Sequence, residues 1–200
     1  MKTLFIPARI NLEINNLKIL KISKKLPENI AIAYSIQYKN IAEKIKSIIP
    51  NKITSFAQVL GCSNPKFSKK TQAILLISSG KFHAISLSKE SKLPVFILEN
   101  NKLERISEQE IKNLENKQKV SYMKFLHSDK VGILISTKPG QENMSKAITL
   151  KKKLKKKSYL FLNNQININE FENFSDIQSW INTACPRLDF DSSIININKI

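Results

Sequence analysis

The sequence predicts an α/β protein made of two consecutive small parallel-sheet domains with flanking helices. Short continuous apolar runs, typical of strands buried on both faces, alternate with segments whose apolar residues recur at helical spacing. The clearest strand is Ala73–Ser78, and the clearest helix is Lys39–Ile49, which Pro50 ends. Strands that alternate with helices indicate parallel sheets joined by crossover connections. A chain of 200 residues is long enough for one large or two small domains.

The predicted elements follow a regular order from Pro27 onward. Before that point, Leu4–Ile6 and Leu17–Ile22 are short apolar runs that we predict as strands, and they cannot form an independent unit. The further elements predicted up to residue 98 are strands at Ile30–Ser35, Ile53–Phe56, Ala73–Ser78 and Pro94–Leu98, and helices at Lys39–Ile49 and 83–91.

A long polar helix is predicted to connect the two domains. It covers Ser107–His127 and begins with the capping box Ser107-Glu108-Gln109-Glu110. The elements predicted beyond it are strands at Val131–Ser136, Tyr159–Leu162 and Ser179–Thr183, and a helix at Glu142–Lys157. We expect the two domains to meet near residue 110, which divides the chain into 1–26, 27–110 and 111–200.

The charge of the chain favours acidic partners. The sequence contains 33 Lys+Arg and 16 Asp+Glu, for a net charge of +17, and nucleic acid is the first candidate for such a balance. The excess is mainly lysine in a chain that is also rich in Ile and Asn, so an A·T-biased genome explains it equally well. The run Lys151–Lys157 is either a nucleic-acid patch or a solvated helix end, where cations complement the helix dipole. Aromatic-rich stacking motifs for single-stranded RNA are missing, and a specific nucleic-acid partner is not expected.

The cysteine content and the hydropathy indicate a cytoplasmic protein. The two cysteines, Cys62 and Cys185, do not form a disulfide framework, and neither lies in a short metal-binding spacing. No apolar run approaches the roughly 18–20 residues that span a bilayer. The apolar part of the N-terminus is too short for a signal peptide. We therefore expect no membrane partner.

The stretch Thr183–Asp191 contains the densest group of side chains that can react or bind ligands. Cys185 supplies a thiol that can ligate a metal or attack an electrophile. Pro186 fixes the backbone after it, and Arg187 offers a planar fork for a carboxylate or a phosphate. Taken alone, the stretch fits a buried cysteine at a strand end, beside a surface Arg–Asp pair, at least as well.

Ligands of open α/β sheets bind outside the carboxyl ends of the strands. The polar turns predicted at these ends are Ser35–Tyr38, Ser78–His83, Ser136–Gln141 and Thr183–Arg187. Each predicted domain also contains one of the two cysteines, and Gly61-Cys62 lies in a loop before a strand. This pairing is the first observation that favours a functional interpretation over a structural one.

Four motifs in order resemble a known family. They are Gln58-Val59-Leu60-Gly61-Cys62, Ile77-Ser78-Ser79-Gly80-Lys81-Phe82-His83, Ser136-Thr137-Lys138-Pro139-Gly140-Gln141, and Thr183-Ala184-Cys185-Pro186-Arg187 with Asp191 four beyond the arginine. Together they resemble the archaeal diphthamide-synthesis radical enzyme, the amino-carboxypropyl-histidine synthase. The resemblance runs from Ile30 to near the end of the chain. It implies that 27–110 and 111–200 correspond to the middle and C-terminal domains of a three-domain family, and that 1–26 is a remnant of the first.

The resemblance also implies an activity and a site. Proteins of this family use a 4Fe-4S cluster and S-adenosylmethionine to transfer a 3-amino-3-carboxypropyl group to a histidine of translation elongation factor 2. By motif, Cys62 and Cys185 resemble cluster ligands. The positions that resemble those holding the methionine moiety are Gln141, Arg187 and Asp191. His83 and Gln37 match family positions of less defined role, and His83 fits a helix-start hydrogen bonder equally well.

The sequence departs from the family pattern at both ends. The first domain and its cysteine are missing, and family chains continue beyond the point where this one stops. A second polypeptide is expected to supply the first domain and the third cysteine. The alternatives are a non-catalytic subunit, which supports a catalytic paralog or binds the elongation factor through its basic surface, and a chain that has lost the activity. The persistence of both cysteines and of the substrate positions favours the split enzyme.

Overall fold

The computed structural model describes residues 3–60, 65–191 and 194–200, and for residues 190 and 191 it describes the backbone alone. The chain forms two compact units, Met1–Ile111 and Lys112–Ile200, and each contains a largely parallel sheet. The predicted fold class, α/β with two consecutive parallel sheets and flanking helices, is confirmed. Among the described residues, no helix combines the length and the apolar character that a membrane crossing requires.

The first unit is a helix-flanked sheet whose strands lie in the order β2-β1-β3-β4-β5. Its elements in chain order are α1 Asn16–Ser23, β1 Asn29–Tyr34, α2 Lys39–Ile48, β2 Lys52–Gln58, β3 Ala73–Ile77, α3 Phe82–Ser91, β4 Val95–Glu99 and β5 Lys102–Arg105. Strands β1 to β4 are parallel, and β5 is antiparallel to β4. All residues of β3 are buried, as expected for a central strand of a mainly parallel sheet. This burial explains why the strand is an uninterrupted apolar run.

Two N-terminal predictions were wrong. Leu17–Ile22, predicted as a strand, lies in helix α1. The side chain of Asn15 caps this helix by accepting a hydrogen bond from the Lys18 N–H at 3.0 Å. Ile19 and Ile22 are buried three residues apart on one helix face, whereas Leu17 is 73% exposed. The segment Leu4–Ile6, also predicted as a strand, has no regular secondary structure.

Strand β5 was not predicted. It forms a hairpin with β4 through Asn100 and Asn101, which adopt positive φ angles of 48° and 59°. Asparagine tolerates this conformation, and two such residues match the twist of a tight hairpin. The sequence lacks the Asn-Gly pair that most clearly marks such a turn, and the hairpin was therefore overlooked.

The second unit contains a parallel sheet in the order β7-β6-β8-β9. Its elements are α4 Glu108–His127, which begins within the first unit, β6 Lys130–Ser136, α5 Met144–Lys153, β7 Lys157–Asn163, β8 Ser179–Asn182, α6 Leu188–Asp191 and β9 Ile195–Asn196. The short elements α6 and β9 were not predicted. The predicted helix over Glu142–Lys157 was too long, because Leu154 is extended and Lys157 pairs with Lys130 in the sheet.

The predicted capping box at the start of α4 is confirmed. The Glu110 carboxylate accepts hydrogen bonds from the Ser107 N–H at 2.9 Å and from the Ser107 hydroxyl at 2.8 Å. Lys81 bonds the other Glu110 oxygen at 2.7 Å and also bonds Glu104. The bonds from Lys81 and Ser107 lower the pKa of Glu110 to about 2, and the two carboxylates raise the pKa of Lys81 to about 12.

We expect Glu110→Gln to be less stable than the wild type by about 0.5–1 kcal/mol at neutral pH, because glutamine keeps the cap but loses the charge-assisted bond to Lys81. The Glu110 pKa is depressed from 4.5 to about 2 in the folded state. Its stabilisation is therefore complete above the unfolded value and is lost as the pH falls toward about 2. Urea unfolding at several pH values measures the difference. The difference between Glu110→Gln and the wild type should therefore shrink as the pH falls. Glu108→Gln is an exposed change in the same helical turn, and its difference from the wild type should not shrink in this way.

Candidate functional site

Each unit has a topological switch point, where the chain leaves two neighbouring strands in opposite directions. In the first unit β1 lies between β2 and β3, and in the second unit β6 lies between β7 and β8. Ligands of such sheets bind at the carboxyl ends of the strands beside this point. The polar turns that follow β1 and β3 meet at one switch point, and the turns that follow β6 and β8 meet at the other. Of the sequence-predicted site residues, five lie on these turns or directly after them: Gln37, His83, Gln141, Cys185 and Arg187.

The turns of the first unit are joined by buried serines. The Ser78 hydroxyl donates to the Ser35 hydroxyl at 3.2 Å, and the Ser35 N–H donates to the Ile77 carbonyl at 3.3 Å. Gln37 is exposed in the single 3-10 turn after β1, and His83 is half-buried in the first turn of α3. The structure thus brings the loops of Gln37 and His83 to the same switch point.

The N-terminal segment runs beside the Gln37 turn, and sequence reasoning missed this contact. The Ile10 N–H donates to the Gln37 carbonyl at 2.9 Å, and the Arg9 guanidinium donates to the Asn40 side-chain oxygen at 2.8 Å. These bonds hold an exposed cation at the carboxyl end of β1. An arginine placed there can attract an anionic group of a ligand.

The segment before Cys62 follows the edge of the same sheet. The buried Val59 donates its N–H to the Tyr34 carbonyl at 2.8 Å, so the chain stays beside β1 after β2 has ended. Gly61 and Cys62 lie outside the described residues. The described chain thus reaches residue 60 beside the carboxyl end of β1, and the role of Cys62 as a cluster ligand stays a prediction.

Asn182 forms the inner support of the Cys185 loop. Its side chain is 1% exposed. The amide nitrogen donates to the Cys185 carbonyl at 2.8 Å and to the Asn196 side-chain oxygen at 2.6 Å, and the amide oxygen accepts from the Ala184 N–H at 2.8 Å. These bonds pair every polar atom of the buried amide and fix the backbone on both sides of Ala184.

Neighbouring polar side chains hold the rest of the loop. Asn196 donates to the Pro186 carbonyl at 2.9 Å, and Asn143 donates to the Thr183 carbonyl at 2.8 Å. The N–H and hydroxyl of Thr183 both donate to the Leu134 carbonyl, at 3.1 and 2.8 Å. The loop is thereby tied to β6, β9 and the turn before α5. This arrangement leaves the half-buried Cys185 on a rigid backbone at the carboxyl end of β8.

The other predicted residues of the second unit differ in exposure. Arg187 is exposed, and Gln141 is half-buried on the turn after β6. Asp191 is the last residue of α6, and its side chain lies outside the described part of the chain. The buried carboxylate is that of Asp189, which accepts from Gln118 at 3.0 Å and lies 3.6 Å from the Lys199 ammonium. Asp189 therefore links the residues that follow Cys185 to helix α4 and to the C-terminal segment.

The cysteines of this chain are of the residue type that holds an iron–sulfur cluster, but there are fewer of them than a cluster typically requires. Cysteine thiolates hold such clusters, and Cys185 offers that donor on a rigid loop. Among the described residues, no group of three or more His, Cys, Asp or Glu side chains could hold a metal ion. The sequence contains two cysteines, which is less than the thiolate set that typically holds a cluster.

The basic run Lys151–Lys157 is divided between two elements. Its first three lysines end helix α5, and Lys157 opens β7. Lys156 donates to the carbonyls of Leu126 and Ser128, at 2.9 and 2.6 Å, and thus caps the C-terminal end of α4. The first three lysines therefore lie at a helix end, as the helix-end interpretation expects. Lys156 instead satisfies carbonyls at the end of a different helix.

Comparison with known proteins agrees with the motifs. Residues 1–194 match the family model of the diphthamide synthesis proteins. The 2-(3-amino-3-carboxypropyl)histidine synthase of Methanocaldococcus jannaschii is 30% identical, with 98% of this chain and 58% of that protein covered. Subunit 1 of the 2-(3-amino-3-carboxypropyl)histidine synthase of Schizosaccharomyces pombe is 26% identical, with 96% of this chain and 49% of that protein covered.

Solved structures share the fold. The crystal structure of Dph2 from Pyrococcus horikoshii superimposes with a TM-score of 0.73 at 23% identity, covering 92% of this chain and 60% of that one. A structure of the same protein with a 4Fe-4S cluster gives a TM-score of 0.71 at 24% identity. This chain thus spans about half to three fifths of the length of these relatives. The match to the family model extends over almost all of its own length, and the chain belongs to the diphthamide synthesis protein family.

Proposed function

We propose that the chain is part of a 4Fe-4S, S-adenosylmethionine-dependent aminocarboxypropyl transferase. The acceptor is a histidine of translation elongation factor 2, and the reaction is the first step of diphthamide synthesis. The observation that carries the proposal is the Cys185 loop, in which buried asparagines hold a half-buried thiol at the switch point of the second unit. The relative from Methanocaldococcus jannaschii is named for the same transferred group.

Cys62 and Cys185 are the proposed cluster ligands, one from each unit. The cluster would supply the electron that cleaves the carbon–sulfur bond of the cofactor. Arg187, exposed beside the thiol, suits the carboxylate of the methionine moiety because its planar fork can donate two parallel hydrogen bonds. Asp191 would accept from the α-amino group, and Gln141 can bond either group.

Gln37 and His83 are proposed as cofactor-binding residues of the first unit. Their loops meet at its switch point, joined by the hydrogen bond between Ser35 and Ser78. We add Arg9 to this set, and its hydrogen bond to Asn40 beside the Gln37 turn supports that choice. The assignment of 27–110 and 111–200 to the middle and C-terminal domains of the family belongs to the same proposal.

A partner polypeptide is proposed to complete the cluster site. The sequence supplies two cysteines, and the chain spans 58% of the Methanocaldococcus jannaschii relative. The Schizosaccharomyces pombe relative is named as subunit 1 of its synthase, which supports an assembly of unlike chains. We propose that a second chain, or a paralog, brings the first domain and the third cysteine. The proposed compartment is the cytoplasm, where thiols stay reduced.

Anaerobic reconstitution with iron and sulfide tests the proposal. The visible absorbance of a 4Fe-4S cluster should develop when this chain is mixed with a chain that carries the first domain, and should not develop with either chain alone. We expect Cys62→Ser and Cys185→Ser each to reduce bound iron and sulfide to the background of the single chains. Ser175→Ala, an exposed change, should leave the loading unchanged.

Two results would contradict the split enzyme. One is a stable cluster on this chain alone, and the other is the absence of a cluster under every pairing. If diphthamide formation by the assembled proteins survives both cysteine substitutions, the chain is instead a non-catalytic subunit, whose surface binds a paralog or the elongation factor.

A further inference from the structure

An open groove lies in the second unit, alongside helix α5. The C-terminal residues Ile197 and Ile200 line its other side, and its volume is about 580 Å³. This volume falls within the range of about 300–1,000 Å³ that is typical of ligand pockets. The described lining residues include none of those proposed above for the cluster or the cofactor.

The floor of the groove is apolar. Leu150, Leu154 and Ile197 are half-buried and pack against the core cluster of the second unit, which contains Ile133. Ile200 lies beside them and is 43% exposed. The floor therefore continues the hydrophobic core to the surface. A partner that covers this floor would remove apolar surface from water, which is favourable.

Two lysines form the charged rim of the groove. Lys146 and Lys153 are exposed, and their separation of seven residues on α5 corresponds to about 10.5 Å along the helix axis. Neither lysine forms an ion pair with another described residue. The surrounding sequence adds positive charge, because residues 143–169 contain seven lysines and no Asp or Glu. The rim is therefore suited to an anionic ligand.

The combination of floor and rim favours one class of anionic ligand. A small anion such as phosphate would leave the apolar floor uncovered. Single-stranded nucleic acid binds by stacking its bases on aromatic rings, and the described part of the lining includes no aromatic side chain. An amphipathic peptide helix presents apolar residues at positions i, i+3, i+4 and i+7 to such a floor, and acidic residues beside them can pair with lysines.

We propose that the groove binds an acidic amphipathic helix of a partner protein. Apolar side chains of that helix pack on Leu150, Leu154 and Ile197. Two of its carboxylates, seven residues apart on a helix that lies alongside α5, pair with Lys146 and Lys153, because the two helices share the same rise per residue. The net charge of +17 assists the encounter with an acidic partner. The inference depends on neither the cluster nor the cofactor.

Fluorescence anisotropy with a synthetic peptide tests the inference. The probe is a labelled helical peptide of about 15 residues, with leucines at positions i, i+3, i+4 and i+7 and two glutamates seven residues apart beside them. It should bind the full chain saturably at about 0.15 M salt, where the screening length is about 8 Å. Replacement of the glutamates by glutamines should raise the Kd by about 3- to 10-fold. Replacement of the leucines by serines should raise it by about 10-fold or more.

Variants of the chain locate the peptide in the groove. Lys146→Glu combined with Lys153→Glu should raise the Kd by about 10-fold or more, because like charges then face each other. Ile200→Ser should raise it by about 3-fold, because the floor loses an apolar side chain. Lys151→Glu combined with Lys155→Glu is the matched control. It reverses two exposed lysines of the same basic run outside the groove lining, so the Kd should change by less than about 2-fold. Circular dichroism checks that each variant is folded.

Several results would overturn the inference. Equal weakening by the control pair would show attraction to the whole basic run. Tighter binding of an oligouridylate, or of vesicles of phosphatidylserine and phosphatidylcholine, that is lost when Lys146 and Lys153 are reversed would assign the rim to nucleic acid or to a lipid surface. Sedimentation as a dimer that the same reversals dissociate would identify a second copy of the chain as the occupant. The absence of saturable peptide binding would also contradict the inference, and cluster reconstitution decides the proposed function separately.

Discussion

Replacement of Asn182 by alanine is expected to lower the free energy of unfolding of the second unit by about 2–4 kcal/mol. The change removes an amide that is 1% exposed. It leaves the Cys185 carbonyl, the Ala184 N–H and the Asn196 side-chain oxygen without their present hydrogen bonds. Each unsatisfied buried polar group costs roughly 1–3 kcal/mol, and partial relaxation limits the sum. Urea unfolding monitored by Trp180 fluorescence reports on this unit, since that residue is the single tryptophan.

Asn164→Ala is the matched control for Asn182→Ala. Asn164 is exposed in the turn after β7, and its replacement should change the free energy of unfolding by no more than about 0.5 kcal/mol. A cost below about 1 kcal/mol for Asn182→Ala would mean that the loop does not depend on this amide. The same variant should also lower iron loading in the reconstitution, because the backbone that positions Cys185 is released.

The supports of the Cys185 loop show what the sequence could predict and what it could not. Cys185, Arg187 and Gln141 were predicted on turns at the carboxyl ends of strands, where ligands of open α/β sheets bind, and the family resemblance implied their roles. Asn182 is the last residue of strand β8, and its partner Asn196 is in a two-residue strand 14 positions further along. Only the pairing of β8 with β9 brings the two side chains together. The sequence around either residue therefore gives no sign of the hydrogen bond between Asn182 and Asn196.

The central strands were predicted more accurately than the edge strands and the helix ends for a similar reason. Strands β3 and β6 are buried along nearly their whole length and therefore stand out as apolar runs. Helix α1 buries Ile19, Ile22 and Ser23. The segment Leu17–Ile22 within it is so short that its apolar residues fit the period of a helix and that of a strand. The end of α5 is set by the pairing of Lys157 with Lys130 across the sheet. Tertiary pairing thus overrode a helical lysine-rich pattern.

The largest packing effect is expected at Gly132. Gly132 lies in β6, opposite Trp180 on β8 and Tyr159 on β7. A Cβ added there would come within 3.0 Å of two carbons of the Trp180 indole and 3.1 Å from a carbon of the Phe161 ring. The indole is 7% exposed and is stacked on Phe171, so it has little space into which it can move. The strand thus needs glycine for the close approach of a ring.

We expect Gly132→Ala to destabilise the second unit by about 3 kcal/mol, at the upper end of the range for overpacked cores. Gly80→Ala is the contrasting control. It adds a methyl group at a φ of +73° with no neighbouring atom within 4 Å, so its cost of about 1 kcal/mol is a backbone effect.

In a double-mutant cycle, Trp180→Leu should recover part of the Gly132→Ala cost, because the smaller side chain makes room for the methyl group. Unfolding is followed here by circular dichroism, since Trp180 is itself changed. Additive costs would show that strand distortion, and not the indole, accounts for the loss.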